Sequence, residues 1–488
     1  METSLSGSLK RLAKHSVIYG IGHIVTRSIG FLLLPLYTNY LPTQEYGRAA
    51  LIFTFLAVMN VLYYYGMDVA FIRYYVLQED KSARKRLFST AYSSVVLVAI
   101  LWTILIEFSP NAISGIVFGG RAFPELIALS GGILLFDALS VIPFVFLRAE
   151  EKPAYFTLLK LINVLINLGA NIYMVAVLRR GVVGIFQAQV LTSFVTFLLV
   201  LPIIFKNFRF AFLWKTESLL LKFGLPYIPS GLAVIIMDLI DRIILDRKLG
   251  DSVTGIYSAG YKLGMIMALF VAAFRFAWHP FFLSTSRQEN AKAVFSKVLT
   301  YFSLAGTFVF LAISLFINEI VRVQIFGKPI FGEKYWGSTV IVPVIMLSYF
   351  LYGIYVNFLV GIYLKKKTSY LPLVTGSGAA ANIGLNLLLI PMIGMMGSAW
   401  ATFGAYFVMA LLLYLVAQKA YFISYEWRRL GKIVIAGVVI FFLPEYFQAL
   451  QPEGVKFLLL LGFPVLLALM GFFTRNEMQS LKRIIVRK

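Results

Sequence analysis

An all-α polytopic membrane protein of about fourteen transmembrane helices is the fold class this sequence predicts, and three observations carry the prediction. The 488 residues are 60% hydrophobic and only 14% charged, with mean hydropathy +0.84, a composition that no single soluble core buries. Apolar stretches long enough to cross about 30 Å of hydrocarbon recur from one end of the chain to the other. The pattern N-x-G-x-N occurs twice, as Asn167-Leu-Gly169-Ala-Asn171 and Asn382-Ile-Gly384-Leu-Asn386, at the same point of each half, and such self-similarity marks an internal duplication.

Lys and Arg punctuate the spans, because basic residues near helix ends are retained on the cytoplasmic side. A polar start, Met1–Lys14, leads into Ser16–Thr38 without a separable signal peptide, so the first helix targets the chain. Tyr46–Met67 returns to Lys81, Arg84, Lys85 and Arg86. Ser89–Ile106 and Leu126–Phe146 follow, then Tyr155–Leu178 and Val183–Phe205, which end at Lys206, Arg209, Lys215 and Lys222. Leu219–Leu245 and Val253–Ala277 lead to Arg287, Lys292 and Lys297. Val298–Ile317 and Ser338–Leu359 lead to Lys365, Lys366 and Lys367, and Ser369–Ile390 and Met395–Val416 to Lys419, Arg428, Arg429 and Lys432. The last pair, Lys432–Leu450 and Val455–Phe473, ends at Arg475, Lys482, Arg483, Arg487 and Lys488. An even number of spans follows, with both termini cytoplasmic in a multi-pass protein of the cytoplasmic (inner) membrane.

The second half reads as a remodelled first half. Gly181 and Gly184 follow the first asparagine pair, Gly394 and Gly397 the second, and Leu41 and Gly47 of LPTQEYG fall in register with Leu249 and Gly255 of LGDSVTG. The expected organisation is a six-helix lobe over residues 1–215, a second over 216–425, and an additional helix pair over 426–488. Transporters built from such repeats place the substrate site at the repeat interface. The net charge of +22 is spread over short inter-helix loops, which argues against nucleic acid as a partner and for topology and anionic lipid headgroups. Cys is absent, which removes disulfides, thiolate nucleophiles and cysteine metal sites. The polar intervals Gln78–Arg86 and Phe281–Lys297 read as amphipathic stretches lying on the membrane surface.

No enzyme signature is present: neither H-E-x-x-H nor G-x-S-x-G occurs, and His15, His23 and His279 are too dispersed for a metal site. No catalytic residue, cofactor or metal is expected. Gly255 to Lys262 lacks the Gly-Lys-Ser/Thr ending of a phosphate loop, and Gly260 and Gly264 suit close helix packing instead. Ionisable residues at membrane depth are then the functional candidates, since charge is costly in hydrocarbon. His15, Tyr19, His23 and Arg27 recur every fourth residue and share one helical face. Asp68 ends the second span, Asp137 lies inside the fourth, the seventh carries Asp238, Asp241 and Arg242, and the eighth carries Ser258, Lys262 and Arg275. Asp238 and Arg242 at i and i+4 either neutralise one another or act directly. Arg275, His279 and Asp68 lie near span ends and suit snorkelling, whereas Arg27 and Lys262 are deeper and have no acidic neighbour on their own helix. The paired asparagines suit inter-helix packing. Pro226 and Pro229 interrupt the start of the seventh span and predict a hinge.

A resemblance rests on two patches. The run Phe223 to Gly264, with GLPYIPSGL, Asp241-Arg242-Ile-Ile-Leu, Gly255-Ile-Tyr-Ser and Tyr261-Lys-Leu-Gly, resembles the middle segment of Wzx-type flippases of polysaccharide biosynthesis, within the multidrug/oligosaccharidyl-lipid/polysaccharide exporter superfamily. The stretch FLLLPLYTNYLPTQEYGRAAL is similar to the family's first inter-helix segment. The resemblance implies two facing lobes, alternating access across a central cavity, and a polyprenyl-diphosphate-linked oligosaccharide as cargo. It also implies cavity cations for the diphosphate: Arg27 and Lys262, with Arg242 and Arg275 as weaker candidates. His23, Tyr19 and Ser258 are candidates to line the cavity. Asp137, Asp68 and Asp238 are candidates for coupling to an ion. Membrane lipids and polysaccharide polymerase machinery are the expected partners. Two other readings stand: a cation-coupled drug or metabolite antiporter of the same superfamily, and a polytopic sugar polymerase or ligase.

Overall fold

The computed structural model describes residues 29–325, 327–474 and 477. These residues are helical almost throughout, as hydrocarbon requires, because a helix satisfies every backbone polar group within its own segment. The chain forms two compact units: residues up to Lys262 with 331–337 and 382–398, and residues 263–330 with 338–381 and 399 onward.

In the first unit α1 (Leu34–Tyr40) and α2 (Thr43–Tyr64) are followed by α3 (Met67–Leu77), α4 (Lys81–Phe108), α5 (Pro110–Phe118), α6 (Pro124–Ala149) and α7 (Pro153–Asn171). Then come α8 (Gly181–Asn207), α9 (Trp214–Gly224), α10 (Tyr227–Leu249) and α11 (Asp251–Gly264), whose last two residues pass into the second unit. Local chemistry sets the ends. Asp80 accepts from the Ser82 and Ala83 amides at 3.1 and 2.8 Å and starts α4. Pro110, Pro124 and Pro153 open α5, α6 and α7 at the position where a missing N–H costs nothing. The outward side chains of α4, Leu97, Leu101, Ile104, Leu105 and Phe108, are exposed and apolar, which suits lipid as the surrounding solvent.

Two helices break, and the breaks touch. Tyr65 and Gly66 adopt left-handed φ of 35° and 77° between α2 and α3, so a span expected as continuous to Met67 ends at Tyr64. Gly66 is pressed against the Gly224 backbone, where a Cβ would collide. Gly224 ends α9 just before Leu225 and Pro226, and Pro229 sits in the first turn of α10. The Tyr65 hydroxyl meets Ser94 Oγ at 2.7 Å, and Ser94 donates to Glu217 on α9 at 2.6 Å. A π-helical turn, Ile172–Val177, extends α7.

The duplication is visible in contacts. Gly181 and Gly394, equivalent in the two repeats, both take left-handed φ, 59° and 61°. Gly47 packs on the main chain of Asp251, and Gly255 packs on that of Thr43. Since Thr43 and Asp251 hold the same place before these glycines, the first turns of α2 and α11 contact one another reciprocally. The Thr43 and Ser252 hydroxyls, 2.8 Å apart, join the same two turns.

The second unit holds α12 (Ile266–Thr285), α13 (Ala291–Ser314) and α14 (Ile317–Arg322), a two-residue hairpin pairing Gln324–Ile325 with Lys328–Pro329, and α15 (Val342–Leu364). It is completed by parts of α16 (Leu371–Ile393) and α17 (Met395–Ala420), then α18 (Trp427–Tyr446) and α19 (Glu453–Leu469). Gly306 and Gly353 make room for the rings of Phe350 and Phe302, which stack at 5.8 Å. Glu426 and Glu477 hold Arg429, and Lys456 pairs with Glu319 at 2.7 Å.

Ten helical segments among the described residues are long and apolar enough to span a membrane. Of the fourteen expected spans, the first begins before the described residues. Three others fall short of that standard: α10 carries Asp238, Asp241, Arg242, Asp246, Arg247 and Lys248, α18 has ionisable ends, and α19 has 17 residues. The two intervals expected to lie along the surface do not form separate helices. Gln78–Arg86 is a turn plus the start of α4, and Phe281–Lys297 is the end of α12, a turn and the start of α13. The short helices α3, α5, α9 and α14 lie wholly or partly outside the expected spans, and amphipathic α9 buries Leu220 while Leu219 is exposed.

Candidate functional site

The helix pair α10–α11 carries two cations with opposite surroundings. Arg242 is 6% exposed and Asp241 1%, and their side chains pair at 2.5 Å. Tyr257 donates to the other Asp241 oxygen at 2.7 Å, the guanidinium lies 4.0 Å from the Tyr261 ring centroid, and the main-chain carbonyl of Asp238 accepts from it as well. Such an arrangement neutralises a buried charge and fixes its geometry.

Lys262 meets no carboxylate among the described residues. Its ammonium is surrounded by rings, 5.8 Å from Tyr37, 5.5 Å from Tyr46 and 5.7 Å from Phe53. Attraction to ring faces holds a cation in place without neutralising it. Two buried hydroxyls that have no hydrogen-bond partner among the described residues accompany it: Tyr46 Oη, on one of those rings, and Ser258 Oγ, one turn earlier on α11. Unsatisfied buried donors are costly, so this is a place prepared for polar contact.

Each asparagine motif supports one of these cations. Asn171 Nδ2 donates to the Asn167 carbonyl and Oδ1 at 2.8 and 3.0 Å, and its own Oδ1 accepts from Tyr37 at 2.7 Å. The second copy repeats the ladder: Asn386 Nδ2 donates to the Asn382 carbonyl and Oδ1 at 2.8 and 3.0 Å, and Asn386 Oδ1 accepts from Ser398 at 2.8 Å. Ser398 lies beside the Tyr257 hydroxyl. The first motif thereby positions a ring at Lys262, and the second buttresses the Asp241–Arg242 pair.

The other predicted residues fall elsewhere. Arg27, His23, Tyr19 and His15 lie outside the described residues. Arg275 belongs to the second unit, is exposed there, and donates to the Tyr352 hydroxyl at 2.8 Å. His279 is flanked by the rings of Phe282 and Tyr363. Asp68 and Asp137 both come within electrostatic reach of Tyr64, and Asp137 also lies beside Ser193 and Lys160. Asp137 is therefore less isolated than its own helix suggests, because Lys160 arrives from α7. Sequence reasoning passed over Lys160, although a lysine inside the fifth span is itself a membrane-depth charge. It also gave no role to Tyr37, Tyr46 or Tyr257; the i, i+4 spacing of Tyr257 and Tyr261 was the available signal.

The family model for polysaccharide biosynthesis proteins matches residues 12–286, more than half of the chain. An Lsg-locus protein of Haemophilus influenzae is 22% identical over 368 residues, covering 70% of this chain and 85% of that protein. A second, uncharacterized membrane protein of the same organism is 22% identical over 339 residues, covering 67% and 78%. Among solved structures, the lipid II flippase MurJ in an inward closed conformation is similar with TM-score 0.68 at 17% identity, covering 92% of this chain and 98% of that one. A multidrug resistance MATE family transporter of the MOP superfamily, inward-facing, is similar with TM-score 0.61 at 14% identity, covering 83% and 94%.

Proposed function

This chain belongs to the polysaccharide biosynthesis protein family, and from that premise we propose that it is a flippase. Its cargo is a polyprenyl-diphosphate-linked oligosaccharide, carried from the cytoplasmic to the outer face of the cytoplasmic membrane by alternating access. Lys262 is the observation that carries this reading: a cation caged by rings, unpaired with any carboxylate among the described residues, beside two unsatisfied hydroxyls. A diphosphate loses its hydration on entering a membrane interior, and a cation not already neutralised can replace it. Arg242 is committed to Asp241, so its role is to hold α10 against α11 while Lys262 takes the phosphoryl charge. Arg27 and Arg275 are further cations for the same headgroup. The lipid tail stays in the bilayer, and polymerase machinery receives the product. The fold shared with a lipid II flippase supports this reading at the level of architecture.

A second reading, a cation-coupled antiporter with Asp137, Asp68 or Asp238 as the coupling group, draws on the MATE-like fold and on the convergence of Asp68 and Asp137 at Tyr64. On that reading Asp137 acts beside Lys160 of α7, which lies within electrostatic reach of it.

Proteoliposomes carrying a fluorescent polyprenyl-diphosphate sugar, quenched from outside, test the proposal. Lys262→Ala is expected to abolish flipping with insertion intact, and Lys262→Arg to retain most of it, since charge matters more here than fork geometry. Wild-type flipping rates in the alanine variant overturn the assignment of Lys262. Transport of a cationic drug with no lipid flipping by the wild type favours the antiporter.

A further inference from the structure

A second basic site lies in the first unit, away from Lys262. The turn between α3 and α4, the turn between α6 and α7, and the end of α8 converge on a cavity of about 440 Å³. Five cations line it, Lys81, Arg84, Lys85, Lys152 and Lys206, against one carboxylate, Glu150. That carboxylate is already engaged: Tyr75 donates to it at 2.8 Å and Arg84 pairs with it at 3.5 Å. Arg84 is fixed further by donating to the Gln78 carbonyl at 2.5 Å and by lying over the Tyr75 ring. The four lysines meet no carboxylate among the described residues.

Basic residues at helix ends are ordinarily explained by topology, but topology requires only that they be on one side. It does not gather them around a concavity, where like charges repel and a multivalent anion repays the repulsion. A single carboxylate would leave most of this charge uncompensated. We propose that this pocket binds a phosphoryl group, either the headgroup of an anionic lipid or a soluble phosphate or diphosphate, on the face that the Lys and Arg distribution assigns to the cytoplasm. The proposal shares no residue with the Lys262 cluster and does not rest on the cargo.

Lysine acylation read by mass spectrometry tests it on the wild-type chain in nanodiscs. In discs of phosphatidylcholine alone, inorganic pyrophosphate is added; in a second arm phosphatidylglycerol replaces part of the lipid and no pyrophosphate is present. Protection of Lys81, Lys85, Lys152 and Lys206, with Lys365, Lys366 and Lys367 unprotected, is the expected result; protection in the first arm identifies a soluble anion and in the second a lipid headgroup. Protection of neither set, or equal protection of both, overturns the site, the latter because it reports diffuse surface attraction. In the arm that shows protection, the double variant Lys85→Gln/Lys206→Gln is expected to weaken it at Lys81 and Lys152 by about tenfold. Lys365→Gln/Lys366→Gln is expected to leave it unchanged.

Discussion

Lys262 and Arg242 sit on adjoining helices, yet a mutation at each is expected to be felt in different measurements. Asp241→Asn strips the buried guanidinium of its counter-charge and is expected to cost about 3–5 kcal/mol, read as a lower thermal unfolding temperature, with stability returning when Asp241→Leu and Arg242→Leu are combined. Lys262 has no such partner to strand among the described residues, so loss of its ring contacts costs about 0.5–2 kcal/mol. In the second unit Glu477 gives a pH signature. Partial burial pushes its carboxyl up, but hydrogen bonds with Tyr301 and Thr474 and the charge of Arg429 outweigh burial and hold it at about 2. Because the folded pKa lies below the free value of about 4.3, its contribution is complete above that pH and disappears as pH falls toward 2. Phe472, buried under Arg429, is therefore expected to become cleavable by pepsin between pH 4 and pH 2, whereas Glu477→Gln exposes it equally at both. The cation was legible in the sequence because its expected span, Val253–Ala277, holds no acid. Its rings were not, since Tyr37, Tyr46 and Phe53 come from α1 and α2 and only tertiary packing brings them there.

Among elements, the paired breaks deserve the sharpest test. Pro226 and Pro229 announced one of them, because proline removes a donor and disturbs the preceding turn. The other carries no proline: a tyrosine and a glycine in left-handed geometry end α2, and nothing in the local pattern marks a tyrosine for that conformation. Gly66→Val is expected to destabilise by about 1–3 kcal/mol, since φ of 77° and the nearby Gly224 main chain both oppose a side chain. The mirror substitution Gly224→Val meets only the crowding. A smaller loss at Gly224 in urea or thermal unfolding of the detergent-solubilised protein is the expected ranking; the reverse order removes the strained backbone from the explanation. The π turn after Asn171 escaped the sequence for the same reason as the Tyr65 break, since its composition is that of the apolar helix it continues.

Across the described residues, hydropathy revealed the all-helical class and ten of the expected spans in their order, because lipid leaves few alternatives to helices. Reporter fusions after Arg86, Lys222, Lys367 and Lys488 are expected to report the cytoplasm, and fusions near Asn111, Gly250 and Pro452 the opposite side; an external C-terminus breaks the even count. The compact units could not be read in the same way, because residues 331–337 and 382–398 join the first unit through packing that no linear pattern encodes. The reciprocal seat of Gly47 and Gly255 has a historical consequence. An ancestor with a single half, paired with itself, would present the same glycine from both sides, so every change there would strike twice. Fusion into one gene lifts that constraint, and the two halves have used the freedom unequally. Thr43 presents a small hydroxyl where Asp251 presents a carboxylate that holds Arg48 at 3.1 Å and Arg121 at 2.9 Å, an asymmetry that a dimer of identical halves could not carry on one side alone.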